Sequence, residues 1–111
     1  MGLKLKMARG WRVIIHIGES KLDVAVIGKR LKIARINADL KQAELGVAAG
    51  LDEESASARI SSYENEVHAP DFRLACKLAA VLDVPEAYFY AVDDELAEWI
   101  LQYHRYRKRG W

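Results

Sequence analysis

The sequence has little of what marks several common protein classes. It contains a single cysteine, Cys76, so no disulfide can form within the chain, and a reducing, intracellular compartment fits best. Its two prolines and seven glycines exclude collagen-like and low-complexity chains. The longest uncharged apolar run, residues 13–17, is interrupted by His16 and is far too short to cross a bilayer. We therefore predict no membrane segment.

Signals for export, metal binding and catalysis are also missing. The first ten residues carry positive charge but no apolar stretch of the length that export needs, so we expect a cytoplasmic location. The three histidines, His16, His68 and His104, lie far apart and give no metal-ligand spacing with the one cysteine. Neither a glycine-rich phosphate loop nor a nucleophile–base pattern occurs. The sequence thus predicts no enzyme, no cofactor and no metal site.

Charge is nearly balanced overall but unevenly distributed. The formal net charge is +1, yet residues 1–18 and 105–111 contain basic residues and no acid, so the part between them is acidic. Basic ends on an acidic body are either arms that touch nucleic acid or simple solubilising tails. Residues 1–22 form a predicted N-terminal arm. Its segment 11–17 is rich in β-branched residues, so the arm is either disordered or a single strand that pairs with another chain.

From residue 23 onward the apolar spacing becomes helical and strand patterns are nearly absent. This predicts an all-α fold with a domain over residues 23–91, followed by a C-terminal helix and basic tail over residues 92–111. We predict six helices, at about residues 24–36, 41–49, 52–65, from Asp71, from Pro85 and at 93–107.

The segment over residues 40–51, LKQAELGVAAGL, is typical of the first half of a helix-turn-helix. Two helices that cross steeply need a small residue where they touch, and Gly46 supplies it. The turn needs a residue that accepts a positive φ, and Gly50 supplies that. The rest of the pattern follows downstream: Ile60-Ser61-Ser62-Tyr63-Glu64, Pro70, Leu78-Ala79 and Leu82-Asp83-Val84.

Together these motifs resemble the phage-repressor and Cro type of helix-turn-helix protein, the XRE family, over residues 26–91. The resemblance implies a compact five-helix, lambda-repressor-like DNA-binding domain whose third helix is the recognition helix. Gly50 and Ile60 are ten residues apart, where the family has about six. A four-residue insertion keeps Ile60 in the core and Arg59 on a polar face, so either the recognition helix is longer or the turn is. Lys41 stands where the family has a Ser or Thr N-cap, and we expect Asp39 to cap the helix instead, paired with Gln42.

Matching the residues to the family gives the candidate DNA contacts. Gln42 would bind a phosphate or an adenine, and Arg59 is suited to bidentate contact with guanine. The predicted set is Lys41, Gln42, Ser55, Ser57, Ala58, Arg59, Ser61, Ser62 and Asn65. The acids of the same region argue for modest, salt-dependent affinity: Asp52, Glu53, Glu54, Glu64 and Glu66. We expect compensation from the basic ends and from Lys29, Arg30, Lys32 and Lys41.

The C-terminal helix carries a stripe of large apolar residues that includes Leu96, Tyr103 and either Trp99 or Ile100. The stripe either packs onto the domain's own core or forms a homodimer surface. We favour the homodimer, with Tyr88, Phe89 and Tyr90 sharing the surface. The sequence therefore predicts a homodimeric repressor that binds specific double-stranded DNA. The alternative is a protein–protein module on the same fold, such as an antitoxin that binds a toxin.

Overall fold

A computed structural model describes residues 27–110, which form six α-helices and no strand. Helix α1 covers residues 27–37 of this range. The others are α2 (Gln42–Ala48), α3 (Glu53–Glu64), α4 (Phe72–Leu82), α5 (Glu86–Tyr90) and α6 (Asp94–Lys108). The predicted all-α fold is confirmed. The predicted arm over residues 1–22 lies outside the described residues.

The apolar faces of all the described helices pack together in one core. Its largest fully buried side chains come from five helices in turn: Leu31, Leu45, Ile60, Leu78 and Phe89. Helix α6 joins the same core through Ala97 and Leu101. Burial of this continuous apolar cluster holds the short helices together, since helices of this length are marginal alone.

Helix starts follow local capping chemistry, with one correction. The carboxylates of Asp71 and Asp93 accept hydrogen bonds from the backbone N–H groups of Leu74 and Leu96, 2.8 and 3.0 Å long, and so cap α4 and α6. The expected Asp39 cap of α2 is wrong. Asp39 adopts a positive φ of 57° in the turn after α1.

The N-cap of α2 is Lys41, and its backbone N–H donates to Oε1 of Glu44, 2.7 Å away. Glu44 at the third helical position therefore supplies the carboxylate half of a capping box, because its side chain reaches back to the backbone N–H of the N-cap.

Two sets of polar contacts fix α6 on the domain. Arg30 is 4% exposed and donates to the carbonyl oxygens of Ala91 and Val92, just before α6 begins. Asp94 forms ion pairs with Lys29 and Arg30 at 2.8 and 2.9 Å. At the other end of α6, Lys108 and His104 contact the carboxylate of Asp83, 2.6 and 3.1 Å away. Helix α6 is thus anchored at both ends and along one face.

The dimer surface expected from α5 needs correction. Tyr88 and Phe89 are buried in the core, and of the three aromatic residues only Tyr90 is exposed. Among residues 27–110, no helix is long and apolar enough to span a membrane, and no group of His, Cys, Asp or Glu side chains could hold a metal.

Candidate nucleic-acid interface

Helices α2 and α3 meet at a close backbone approach. A Cβ atom placed on Gly46 would lie 2.7 Å from Cβ of Ala56, which is closer than real Cβ atoms come. The chain then turns at Gly50, whose φ is +97°, and the N–H of Leu51 donates to the carbonyl of Gly46 at 2.9 Å. Both predicted glycine roles are confirmed. The pair α2 and α3 is the helix-turn-helix unit.

The extra residues between Gly50 and Ile60 lengthen the recognition helix rather than the turn. Only Leu51 and Asp52 separate the turn glycine from the first residue of α3. Ala56 and Ile60, one helical turn apart, are both fully buried. The insertion thus adds a first turn to α3.

An ion pair ties the far end of α3 to α1 and α2. Arg35 donates to both carboxylate oxygens of Glu64, from Nε at 2.6 Å and from Nη2 at 3.1 Å. The hydrogen bond to Glu64 raises the pKa of Arg35 above its ordinary value. The amide of Gln42 donates to Oε1 of Glu64 at 3.1 Å, and Arg35 also donates to the carbonyl of Leu40 at 2.9 Å. These contacts hold the first turn of α2 against the last turn of α3.

The predicted contact residues fall on two parts of this unit. Lys41 and Gln42 stand at the start of α2, Asn65 is the C-cap of α3, and the others lie within α3. Ser57, Ala58, Arg59 and Asn65 are exposed, whereas Ser55, Ser61 and Ser62 are half-buried. The structure therefore brings the start of α2 next to the end of α3 through Gln42 and Glu64. It spaces the remaining side chains over three turns of helix.

Arg59 rests along its own helix. Its Nη2 donates to the hydroxyl of Tyr63 at 2.7 Å, and its guanidinium carbon lies 5.8 Å from the centre of that ring. The Tyr63 ring is buried, so it gives the arginine a fixed platform. The other N–H donors of the guanidinium keep their capacity for a ligand.

The hydroxyls near the end of α3 are hydrogen-bonded locally. The Ser61 hydroxyl accepts from Nδ2 of Asn65 at 3.1 Å, and the Ser62 hydroxyl lies 2.8 Å from Nδ1 of His68. Ser55, in the added first turn, has its hydroxyl 3.5 Å from the carbonyl of Asp52. A hydroxyl both donates and accepts, so each of these side chains can still bond a further partner.

The charges around α3 differ from the expected balance. Glu64 is neutralised by Arg35, whereas Asp52, Glu53 and Glu54 stay exposed at the start of the helix. Arg30, expected to help attract DNA, is instead buried against the carbonyls that precede α6, as described above. Lys29 is paired with Asp94. Lys32 and Lys41 are exposed, as the prediction that they attract DNA requires.

Sequence reasoning missed Arg35 as the residue that orders the site. Its partner lies 29 positions away, so no local spacing signals the pair. The XRE-like pattern contains the Glu64 half of the pair, and in the structure its carboxylate accepts hydrogen bonds from Arg35 and Gln42.

Comparison with known proteins identifies the fold. The family model described as helix-turn-helix matches residues 31–89. The crystal structure of the transcriptional regulator BswR is similar to this chain, with 49% identity, coverage of 74% of this chain and 85% of that one, and a TM-score of 0.68. No curated protein matches. The chain therefore belongs to the XRE-type helix-turn-helix family of DNA-binding transcriptional regulators.

Proposed function

We propose that this protein binds specific sites on double-stranded DNA as a homodimer, in the cytoplasm, and represses transcription there. The observation that carries the proposal is the α2–α3 unit. The Arg35–Glu64–Gln42 contacts fix the start of α2 beside the end of α3, and the exposed side chains of α3 face outward from this frame. In helix-turn-helix proteins such a helix enters the major groove. That BswR is a transcriptional regulator supports the same role here.

Within this proposal Arg59 reads the DNA sequence. To reach a guanine, its guanidinium leaves the Tyr63 ring and forms two hydrogen bonds with O6 and N7. Its contact with Tyr63 contributes on the order of 1 kcal/mol, and the free energy of a bidentate contact with a base offsets the loss of that contact. Ser57 and Ala58 would lie beside it, where a small side chain lets the helix approach the base edges.

The remaining predicted contacts position the protein on the phosphates. Lys41 and Gln42 would bind the backbone from the first turn of α2. The polar side chains of α3 would donate to phosphates on either side of the groove: Ser55, Ser61, Ser62 and Asn65. Because phosphate contacts carry no sequence information, substitutions here should weaken binding to all duplexes alike.

The exposed acids at the start of α3 limit the affinity of one copy. Asp52, Glu53 and Glu54 repel phosphates, and residues 41–65 contain only two cations, Lys41 and Arg59. We infer modest, salt-dependent binding by each monomer. Two linked heads that read two half-sites would then supply most of the effective affinity.

The homodimer is supported by α6. The stripe predicted on this helix includes Trp99 and not Ile100, since Ile100 packs against the core. Leu96, Trp99 and Tyr103 are exposed, although residues of this size are normally covered. Of the two interpretations of the stripe, the exposed face favours an interface between copies.

Selection from a pool of random duplexes tests the proposal. We expect enrichment of a two-fold symmetric site whose half-sites lie about 34 Å apart, bound by two chains per duplex. The matched control is Gln42→Ala with Arg59→Ala, checked for folding by circular dichroism, which should enrich no site. A reporter promoter that overlaps the enriched site should lose expression when the protein is present. A gain in expression would contradict the repressor role.

A second candidate function rests on the acids of α3. Asp52, Glu53 and Glu54 form an exposed acidic turn that suits a basic protein partner better than DNA. An antitoxin bound to a toxin would use the fold in this way. No enriched duplex, together with no binding to DNA at low salt, would favour this alternative.

A further inference from the structure

The exposed residues of α6 follow a heptad pattern. Leu96, Trp99, Tyr103 and Tyr106 are 53%, 61%, 59% and 53% exposed. Their separations of three, four and three residues are those of alternating a and d positions in a coiled coil. Ala97 and Leu101 lie on the opposite side and are buried in the core. The same helix thus has one face that packs on its own domain and an exposed face with the residue spacing of a coiled-coil seam.

Charge along α6 is segregated by end. The acids Asp94 and Glu95 occupy the first turn, and the bases Arg105, Arg107 and Lys108 occupy the last. Some of these side chains are used within the chain, as in the Asp94 and Lys108 ion pairs. Within residues 27–110, by contrast, neither Glu95 nor Arg109 has an ion-pair partner. Both lie beside the aromatic stripe, at g positions of the heptad.

We propose that α6 pairs with α6 of a second copy in antiparallel orientation, in one defined register. The proposal rests on the homodimer of the proposed function and specifies its interface. With a two-fold axis at the level of Leu101, Trp99 packs against Tyr103 of the second copy. In the same register Leu96 packs against Tyr106 of the second copy, because antiparallel coiled coils set a positions against d positions.

This register also pairs the charges. In antiparallel helices g positions face g positions, so Glu95 meets Arg109 of the second copy, and the two-fold axis repeats the contact. A parallel arrangement would instead set each g position beside an e position of the second copy, so Glu95 would face the apolar Ile100 and gain no charge partner. Charge complementarity therefore selects a second copy, in the antiparallel orientation, as the partner of this face.

Charge reversal tests the register, with association measured by sedimentation equilibrium at low ionic strength. Glu95→Arg alone and Arg109→Glu alone should each raise the dimer dissociation constant roughly ten- to a hundredfold, because two like-charge contacts replace two attractive ones. An equimolar mixture of the two variants should dimerise within about threefold of wild type, since both contacts between positions 95 and 109 then join opposite charges. Restoration by mixing excludes misfolding of either variant.

Glu98→Arg and Arg105→Glu are the matched controls, because they make the same charge changes at c positions of α6. We expect each to leave the dissociation constant within about twofold of wild type. A wild-type dimer that neither g-position reversal weakens, or that the mixture does not restore, would overturn the register and leave the homodimer and DNA binding standing. A wild type that is monomeric at tens of micromolar would overturn the register and the homodimer together.

Discussion

Arg35 and Glu64, 29 residues apart in the sequence, form a two-pronged ion pair with hydrogen bonds of 2.6 and 3.1 Å. The Glu64 side chain is 2% exposed and that of Arg35 is 14% exposed, so water screens the pair little. Because Gln42 bonds the same carboxylate, the pair links the stability of the fold to the placement of the DNA-binding unit.

Removing one half of this pair should destabilise the protein strongly. Glu64→Ala leaves the Arg35 charge without its partner, and we expect the free energy of unfolding to fall by roughly 3–5 kcal/mol. The measurement is urea denaturation followed by circular dichroism. Arg35→Ala with Glu64→Ala should cost less than the two single changes added together. Additive losses, or a loss below about 1 kcal/mol for Glu64→Ala, would contradict the role given to this pair.

Gly46→Ala should destabilise the protein even though alanine favours helices. The gain in helix propensity is roughly 0.8–1.0 kcal/mol, but the new Cβ would meet Cβ of Ala56, a stiff atom that cannot swing away. Overpacking of this kind costs about 1–3 kcal/mol, so a net loss of about 1 kcal/mol is expected. In an Ala56→Gly background the loss should shrink, because only the Cα and the carbonyl oxygen of residue 56 then lie close to the new Cβ, both at 3.1 Å. A cycle of urea denaturation midpoints measures both, and equal effects in the two backgrounds would refute the steric account.

Arg59→Lys and Arg59→Ala should separate charge from base reading. Lysine keeps the cation but loses the bidentate fork, so both changes should relax preference for the enriched site by about 1–3 kcal/mol. Only Arg59→Ala should also weaken binding to random duplex. Competition binding with enriched and random duplexes measures both quantities, with Arg105→Ala as the control. If Arg59→Lys kept full preference for the enriched site, Arg59 would not be a base reader.

Acid should weaken the attachment of α6 through Asp94. Hydrogen bonds from Lys29 and Arg30 lower the pKa of Asp94 below its ordinary value of about 3.9. The stabilisation is therefore fully present above the unfolded pKa and is lost as the pH falls through the lower, folded pKa. Wild type should exceed Asp94→Asn in stability at pH 5–7 by a constant amount, and the difference should shrink below about pH 4. Urea midpoints across this range test it, and a difference that stays constant down to about pH 2 would contradict the assignment.

Much of the fold could be predicted from the sequence because the residues that start, end and separate its helices act locally. The helix start at Asp71, the contact glycine Gly46 and the turn glycine Gly50 were predicted, and the contact of each lies within ten residues along the chain. Burial of Ile60 followed from the family pattern, since only an insertion keeps Arg59 out of the core.

What the sequence did not reveal depends on partners far along the chain. Arg30 lies among other cations in the sequence, and no local pattern predicts that it is buried and donates to the carbonyl oxygens of Ala91 and Val92. Tyr88 and Phe89 were predicted to share a surface between copies, but in the structure they are buried in the core. The contact of Arg59 with Tyr63 is different, because it joins residues only four apart on one helix and was not predicted either.

The most direct test of the central claim is a fluorescence-anisotropy titration with duplex DNA over a series of salt concentrations. It compares wild type with the Gln42→Ala, Arg59→Ala double variant. We predict that the logarithm of the binding constant falls linearly with the logarithm of salt concentration, with a slope near −0.9 for each phosphate contacted. The double variant should bind more weakly at every concentration. Binding that is insensitive to salt, or unchanged in the double variant, would contradict DNA recognition through α2 and α3.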